Sequence, residues 1–138
     1  MTTNTTSIAR ISESEKLTIN LGYVDLGQID LLVAEGFYAN RSDFIRTAIR
    51  NHLATHGDAL RQVVARKMLV LGLQQFSAAD LTRVRAAGEK LQIRVLGLAS
   101  IAPDVPAELA AETIESITVL GALHASPAVR AALAGRIH

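Results

Sequence analysis

The sequence predicts an α+β fold in two parts. The first is a strand followed by two helices, which dimerises through its strand, and the second is a small α/β domain of three strand–helix repeats. Residues 16–21 alternate polar and apolar ahead of two capped helical segments, and the string VLG recurs at Val70, Val95 and Val119. The 138-residue chain is 49% hydrophobic and 20% charged, so it can bury one ordinary core or two small ones.

The predicted strand has the sequence KLTINL and covers residues 16–21. Successive side chains of a strand point to opposite faces, so this alternation is typical of a half-buried strand. No second strand lies near it in the sequence, so its pairing partner is expected to come from another copy of the chain. The polar face comprises Lys16, Thr18 and Asn20, and the apolar face comprises Leu17, Ile19 and Leu21.

Two short helices are predicted after the strand. The first is expected to begin near Leu26, with Asp25 as its N-cap and Gln28 as the capping-box partner, and to end at Gly36. Asn40, followed three residues later by Asp43, predicts the N-cap of the second helix. The apolar positions at helical spacing are Leu26, Ile29, Leu32 and Val33 in the first helix, and Phe44, Ile45, Ala48, Ile49 and Leu53 in the second.

One strand and two short helices bury too little apolar surface to offset the conformational entropy lost on folding, roughly 1–2 kcal/mol per residue. Two copies would solve this problem by pairing their strands antiparallel and covering the apolar face with four helices. The polar face of such a two-stranded ribbon has the width that the DNA major groove admits. The expected dimer core comprises Leu17, Ile19, Leu21, Ile29, Leu32, Phe44, Ile45 and Ile49.

Residues 15–55 resemble the ribbon-helix-helix DNA-binding proteins of the CopG and Arc type. The alternating KLTINL, the capped first helix and the segment EGFYANRSDFIRTAIRNHL carry the resemblance, and the start of the first helix at YVDLG departs from it. The resemblance implies a homodimer that binds double-stranded DNA. It implies base contacts through Lys16, Thr18 and Asn20, and phosphate contacts at Asn40, Arg41 and Ser42.

The charge of this segment argues against strong DNA binding. Residues 1–56 hold five Lys and Arg and six Asp and Glu, a net charge of −1, whereas the whole chain has a net charge of +1. Because DNA binding is usually accompanied by a basic excess, weak non-specific affinity is expected.

A three-fold repeat organises the rest of the chain. The VLG strings are 25 and 24 residues apart, and each precedes a helix-like segment. This period predicts a short β/α solenoid of parallel strands, in which the exposed edges invite pairing with another copy. Three features support it: glycines that admit a neighbouring backbone, serine caps and prolines at helix starts. The glycines are Gly72, Gly97 and Gly121. The serine caps are Ser77 and Ser126, and the prolines at helix starts are Pro103, Pro106 and Pro127.

The predicted organisation has four parts. Residues 1–14 form a flexible arm, residues 15–56 the DNA-binding and dimerisation domain, residues 57–66 a connecting helix, and residues 67–138 the repeat domain. The repeat domain is expected to serve assembly or the binding of a protein partner.

Several functional classes are disfavoured. Without cysteine the chain has no disulfide or thiolate site, which suits a reducing cytoplasm. No apolar run approaches the roughly 20 residues of a membrane span, and no phosphate-loop or hydrolase motif occurs. His52 and His56 are four residues apart but lack a third ligand, so no metal or other cofactor is expected. An enzyme is not expected.

The favoured interpretation is a cytoplasmic transcriptional regulator that represses by occupying an operator. The first alternative is an antitoxin or scaffold that acts mainly by binding a protein through the C-terminal half. The second is an architectural factor that polymerises through the repeat domain.

Overall fold

The computed structural model describes residues 14–138, which form two compact units, residues 14–63 and residues 64–138. The predicted arm lies outside the described residues except for Ser14. Within the described part there are six α-helices and three strands. They are α1 Tyr23–Ala34, α2 Arg41–Thr55, α3 Gly57–Lys67, β1 Val70–Phe76, α4 Ala78–Ala86, β2 Leu91–Ile101, α5 Ala107–Thr113, β3 Ile114–His124 and α6 Pro127–Ala132, with a 3-10 helix at Ala134–Arg136.

Helix α1 begins earlier than predicted. Its N-cap is Gly22, in an extended conformation, and the Leu26 amide donates to the Gly22 carbonyl at 3.0 Å. Asp25 therefore lies inside the first turn and is not the N-cap, so that prediction was wrong. Its carboxylate still suits this position because the N-terminus of a helix carries partial positive charge. The end of α1 was predicted correctly, since Gly36 adopts the left-handed conformation with φ +84°.

The N-cap of α2 is confirmed at Asn40. The Asp43 amide donates to Asn40 Oδ1 at 2.8 Å, and the Ala39 amide donates to Asp43 Oδ2 at 3.0 Å. The rings of Tyr38 and Phe44 meet edge to face with centroids 5.0 Å apart, and they pack the incoming chain against the first turn. The start of α2 is thus held by bonds among neighbouring residues.

Residues 16–21 have no strand assignment in the single chain. A strand is defined by a hydrogen-bonded neighbour, and no strand lies beside this segment in the described part. The two-stranded ribbon therefore stays a prediction about a pair of chains.

The C-terminal unit contains a parallel sheet in the order β1-β2-β3, with a helix after each strand. The parallel arrangement predicted from the repeat is confirmed, and Val70, Val95 and Val119 are direct register partners. The solenoid class stays a prediction. The core of this unit lies between the sheet and its helices, and its most completely buried large side chains are Leu81, Ile114, Ile117, Leu133, Val95 and Val129.

Most of the predicted helix starts in this unit are confirmed. Ser77 and Asp80 form a reciprocal capping box at α4, and Ser126 Oγ accepts from the Val129 amide at 3.2 Å at α6. Pro106 is the N-cap of α5 and Pro127 is the first residue of α6. Pro103 does not start a helix, because it lies in the turn that precedes α5.

Three glycines form a column across the sheet. Gly72, Gly97 and Gly121 are register partners with φ between +121° and +139°, a region that L-residues rarely adopt. A Cβ on Gly97 would overlap the carbonyl of Gly72, and a Cβ on Gly121 would overlap the carbonyl of Gly97. The close backbone approach predicted from the repeated glycines is therefore present.

Candidate nucleic-acid interface

The predicted base-contact residues lie on the segment that leads into α1. Lys16, Thr18 and Asn20 are all exposed. Lysine and asparagine side chains are suited to donor and acceptor groups on base edges, and threonine offers both a hydroxyl and a methyl group. The segment therefore presents three different recognition chemistries at alternate positions.

The other side chains of this segment are apolar and also exposed. Leu17 is 80% exposed, Ile19 65% and Leu21 40%. Removing apolar surface from water contributes a favourable free energy of roughly 25 cal/mol per Å², which these exposed side chains do not gain in one chain. Three aliphatic side chains at alternate positions form a stripe of the kind that a partner strand and its helices cover.

The helical part of the predicted dimer core is only partly covered in one chain. Ile29 is 7% exposed, Leu32, Phe44 and Ile45 are half-buried, and Ile49 is 54% exposed. Helix α2 contains no fully buried residue. Leu53 on the same stripe is 55% exposed, and Leu31 of α1, which lay outside the predicted core, is 61% exposed.

An ion pair joins α1 to the predicted phosphate-contact region. Arg41 Nε donates to Asp30 Oδ1 and Arg41 Nη2 donates to Asp30 Oδ2, both at 2.8 Å. The hydrogen bonds from Arg41 lower the pKa of the Asp30 carboxyl, and the same bonds raise the pKa of Arg41. The side chains stay 56% and 47% exposed, so solvent and anions can still reach Arg41.

The three predicted phosphate-contact residues have different surroundings. The Asn40 side chain is occupied by the helix cap, Arg41 is engaged by Asp30, and Ser42 is exposed. The first amides of a helix have no intrahelical acceptor, so those of Arg41 and Ser42 suit an anion. Sequence reasoning missed Asp30, because eleven positions separate it from Arg41 and no local motif links the two.

The remaining arginines of α2 are not neutralised in this way. The salt bridges formed within residues 14–138 do not involve Arg46 or Arg50, and both side chains are exposed. Although the segment has no basic excess overall, α2 therefore carries two accessible cations.

The histidine pair has the spacing of a partial metal site. The rings of His52 and His56 meet edge to face with centroids 5.1 Å apart. Within residues 14–138 no group of three or more His, Asp or Glu side chains is arranged to hold a metal ion.

In the part of the chain that the structure describes, no helix combines the length and hydrophobicity needed to cross a bilayer.

Comparison with known proteins identifies the family. Comparisons with curated proteins and with solved structures find no match. The model of the ribbon-helix-helix transcriptional regulator family matches residues 12–130, which include the strand segment, all three helices of the first half and the whole sheet of the second. The match extends well beyond the resemblance at residues 15–55 and includes residues 67–130 of the predicted repeat domain. The chain therefore belongs to the ribbon-helix-helix transcriptional regulator family, whose members dimerise, bind DNA and are typically not enzymes.

Proposed function

We propose that the protein is a cytoplasmic, homodimeric repressor that reads the DNA major groove with a two-stranded ribbon. Residues 16–21 of two copies pair antiparallel, and the polar side chains of both strands enter the groove. The observation that carries the proposal is the alternation of exposed apolar and exposed polar side chains along this segment, in a chain of this regulator family.

The apolar side of the ribbon drives assembly. Leu17 and Ile19, which are largely exposed in one chain, gain burial when a second chain supplies another strand and its helices. At roughly 1.5–3 kcal/mol for each large aliphatic side chain that is fully buried, these residues together with Ile49 favour the dimer strongly. Strand pairing also satisfies backbone groups that one chain leaves to solvent.

The polar side of the ribbon reads sequence. Asn20 suits the N6 and N7 groups of adenine, Lys16 suits the O6 and N7 groups of guanine, and the Thr18 methyl group suits the thymine methyl. Two-fold symmetry repeats these contacts, so the operator is expected to contain a palindromic or tandem half-site.

The start of α2 positions the ribbon on the DNA backbone. The amides of Arg41 and Ser42 and the partial positive charge of the helix N-terminus bind a phosphate. Arg46 and Arg50 add positive charge on the same helix. Backbone contacts of this kind fix register and orientation, and they carry no sequence information themselves.

A genomic-fragment pull-down tests the proposal. The parent protein should enrich a short repeated motif at two salt concentrations, and a Lys16→Ala, Thr18→Ala, Asn20→Ala triple variant should lose that enrichment while staying a folded dimer. The control variant Lys67→Ala with Gln92→Ala removes a cation and an amide from exposed positions outside the ribbon, and it should retain the motif. Equal enrichment by the triple variant and the parent would overturn the assignment of the ribbon.

A further inference from the structure

The sheet of the C-terminal unit has two outer edges, formed by β1 and β3, which differ in how far other residues cover them. We infer that the outer edge of β1 pairs antiparallel with β1 of a second copy of this chain. The inference rests on the dimerisation that the family implies and does not depend on which residues contact DNA.

The outer edge of β3 is partly occupied by Ile137 and His138. Ile137 forms a parallel bridge with Ile117, and the His138 amide donates to the Ile117 carbonyl at 2.8 Å. Arg136 anchors this segment, because its Nη1 donates to the carbonyls of Ala111 and Ile114 at 2.7 and 2.8 Å. This edge is therefore protected against another strand in the region of Ile117.

Among the residues that the structure describes, none protects the outer edge of β1 in this way. Among residues 14–138, only β2 pairs with β1. The strand sequence VLGLQQF contains no charged residue and no proline, the usual devices that keep edge strands apart. Its aliphatic side chains are exposed on both faces, with Leu71 74% exposed, Leu73 47% and Val70 45%.

The glycine column also supports pairing at the outer edge of β1. A Cβ built on Gly97 or on Gly121 would point at the preceding strand and overlap its backbone. A Cβ built on Gly72 would meet no atom of residues 14–138 within 4 Å. The backbone of β1 at Gly72 can therefore be approached closely by another strand.

A second copy is the occupant that fits best. Dimerisation already brings a second copy to each chain, and tethering raises its effective concentration to about the millimolar range. Two identical edges related by a two-fold axis run antiparallel, which closes the assembly. Pairing of β1 with β3 of another copy would continue into a filament, and the bridge of Ile137 to Ile117 obstructs that pairing.

The antiparallel pairing is also self-complementary. When it is centred on Leu73, that residue faces its own copy, Val70 faces Phe76 and Leu71 faces Gln75. Opposed side chains in an antiparallel pair lie about 4.5–5.5 Å apart at Cβ, which is close to the separation that a disulfide requires. Disulfide trapping can therefore report the pairing.

The full chain contains no cysteine, so single-cysteine variants give an unambiguous signal. Under mild oxidation, Leu73→Cys should form a disulfide-linked dimer, and Leu71→Cys should link to Gln75→Cys when the two are mixed. A register shifted by two residues would link position 71 to 73 or 73 to 75, which equally supports the pairing. Leu120→Cys is the control, because Leu120 is 51% exposed and is aligned with Leu71 across the sheet.

Two results would overturn the inference. One is no link in any β1 mixture, and the other is linking of Leu120→Cys or of all β1 positions to the same extent. Adding Leu71→Lys to Leu73→Cys should abolish the link, whereas adding Leu120→Lys should not. Sedimentation separates this inference from the proposed function, since a dimer that binds its operator without a β1 link overturns the edge pairing alone. A monomeric parent overturns both.

Discussion

The guanidinium of Arg41 and the carboxylate of Asp30 form a two-pronged ion pair that joins the first residue of α2 to the middle of α1. The pair lies where the proposed repressor would contact a DNA phosphate. Asp30 would therefore compete with a phosphate for the guanidinium of Arg41, and a DNA contact through this side chain would require the ion pair to break.

Asp30→Asn should strengthen DNA binding about threefold at low salt, because it releases Arg41 and removes a negative charge. One added phosphate contact should steepen the dependence of log K on log salt by about 0.9. Fluorescence anisotropy over a salt series measures both quantities. Glu35→Gln is the matched control, since it removes one exposed negative charge from the end of α1 without touching Arg41. Identical salt slopes for the two variants would contradict the prediction.

The capping box of α4 should make the free energy of unfolding depend on pH in the acid range. Hydrogen bonds from the backbone and side chain of Ser77 lower the pKa of Asp80 below its ordinary value of 3.8. A carboxyl whose pKa is lowered by folding stabilises the folded state at pH values above its pKa in the unfolded state. This contribution is lost as the pH falls through its pKa in the folded state. In urea unfolding, Asp80→Asn should be less stable than the parent at about pH 6, and the difference should shrink below about pH 4. A difference that does not change with pH would refute the role of the charge.

Asn40→Ala should lower the free energy of unfolding by about 1 kcal/mol, because it removes the acceptor for the Asp43 amide. Asn51→Ala changes the same residue type at an exposed position late in α2, where alanine favours the helix. Urea unfolding followed by circular dichroism should show the two variants shifting in opposite directions. Equal shifts would mean that the cap contributes nothing.

Gly97→Ala should destabilise the C-terminal unit by more than about 4 kcal/mol, because strain at φ +139° adds to overlap with the Gly72 carbonyl. Gly27→Ala offers the contrast, since Gly27 lies in α1 and a Cβ there would meet no atom of the described residues within 4 Å. That substitution should stabilise by about 0.5–1 kcal/mol. Thermal unfolding of both variants tests the pair. A near-native melting temperature for Gly97→Ala would show that the sheet can shift to accept a Cβ.

Local signals predicted local structure well. The caps at Asn40, Ser77 and Ser126 were readable because each side chain bonds to an amide three residues along the chain. The register of the sheet was readable because the repeat places the same residue type at the same point of each strand, as at Val70 and Val95. The start of α1 was misassigned because Asp25 resembles an N-cap, whereas the actual N-cap, Gly22, has no side chain that could mark it.

The sequence alone determined the caps at Asn40, Ser77 and Ser126, the parallel repeat and the resemblance to DNA-binding proteins, since these depend on short-range bonds and periodicity. Only the tertiary structure decided that Asp30 holds Arg41, and that Ile137 bridges to Ile117 at one edge of the sheet whereas, within residues 14–138, no strand pairs with the outer edge of β1. The physical reason is the same in each case. These contacts join residues that are distant in sequence, and only the crossing of helices and the stacking of strands brings them within bonding distance.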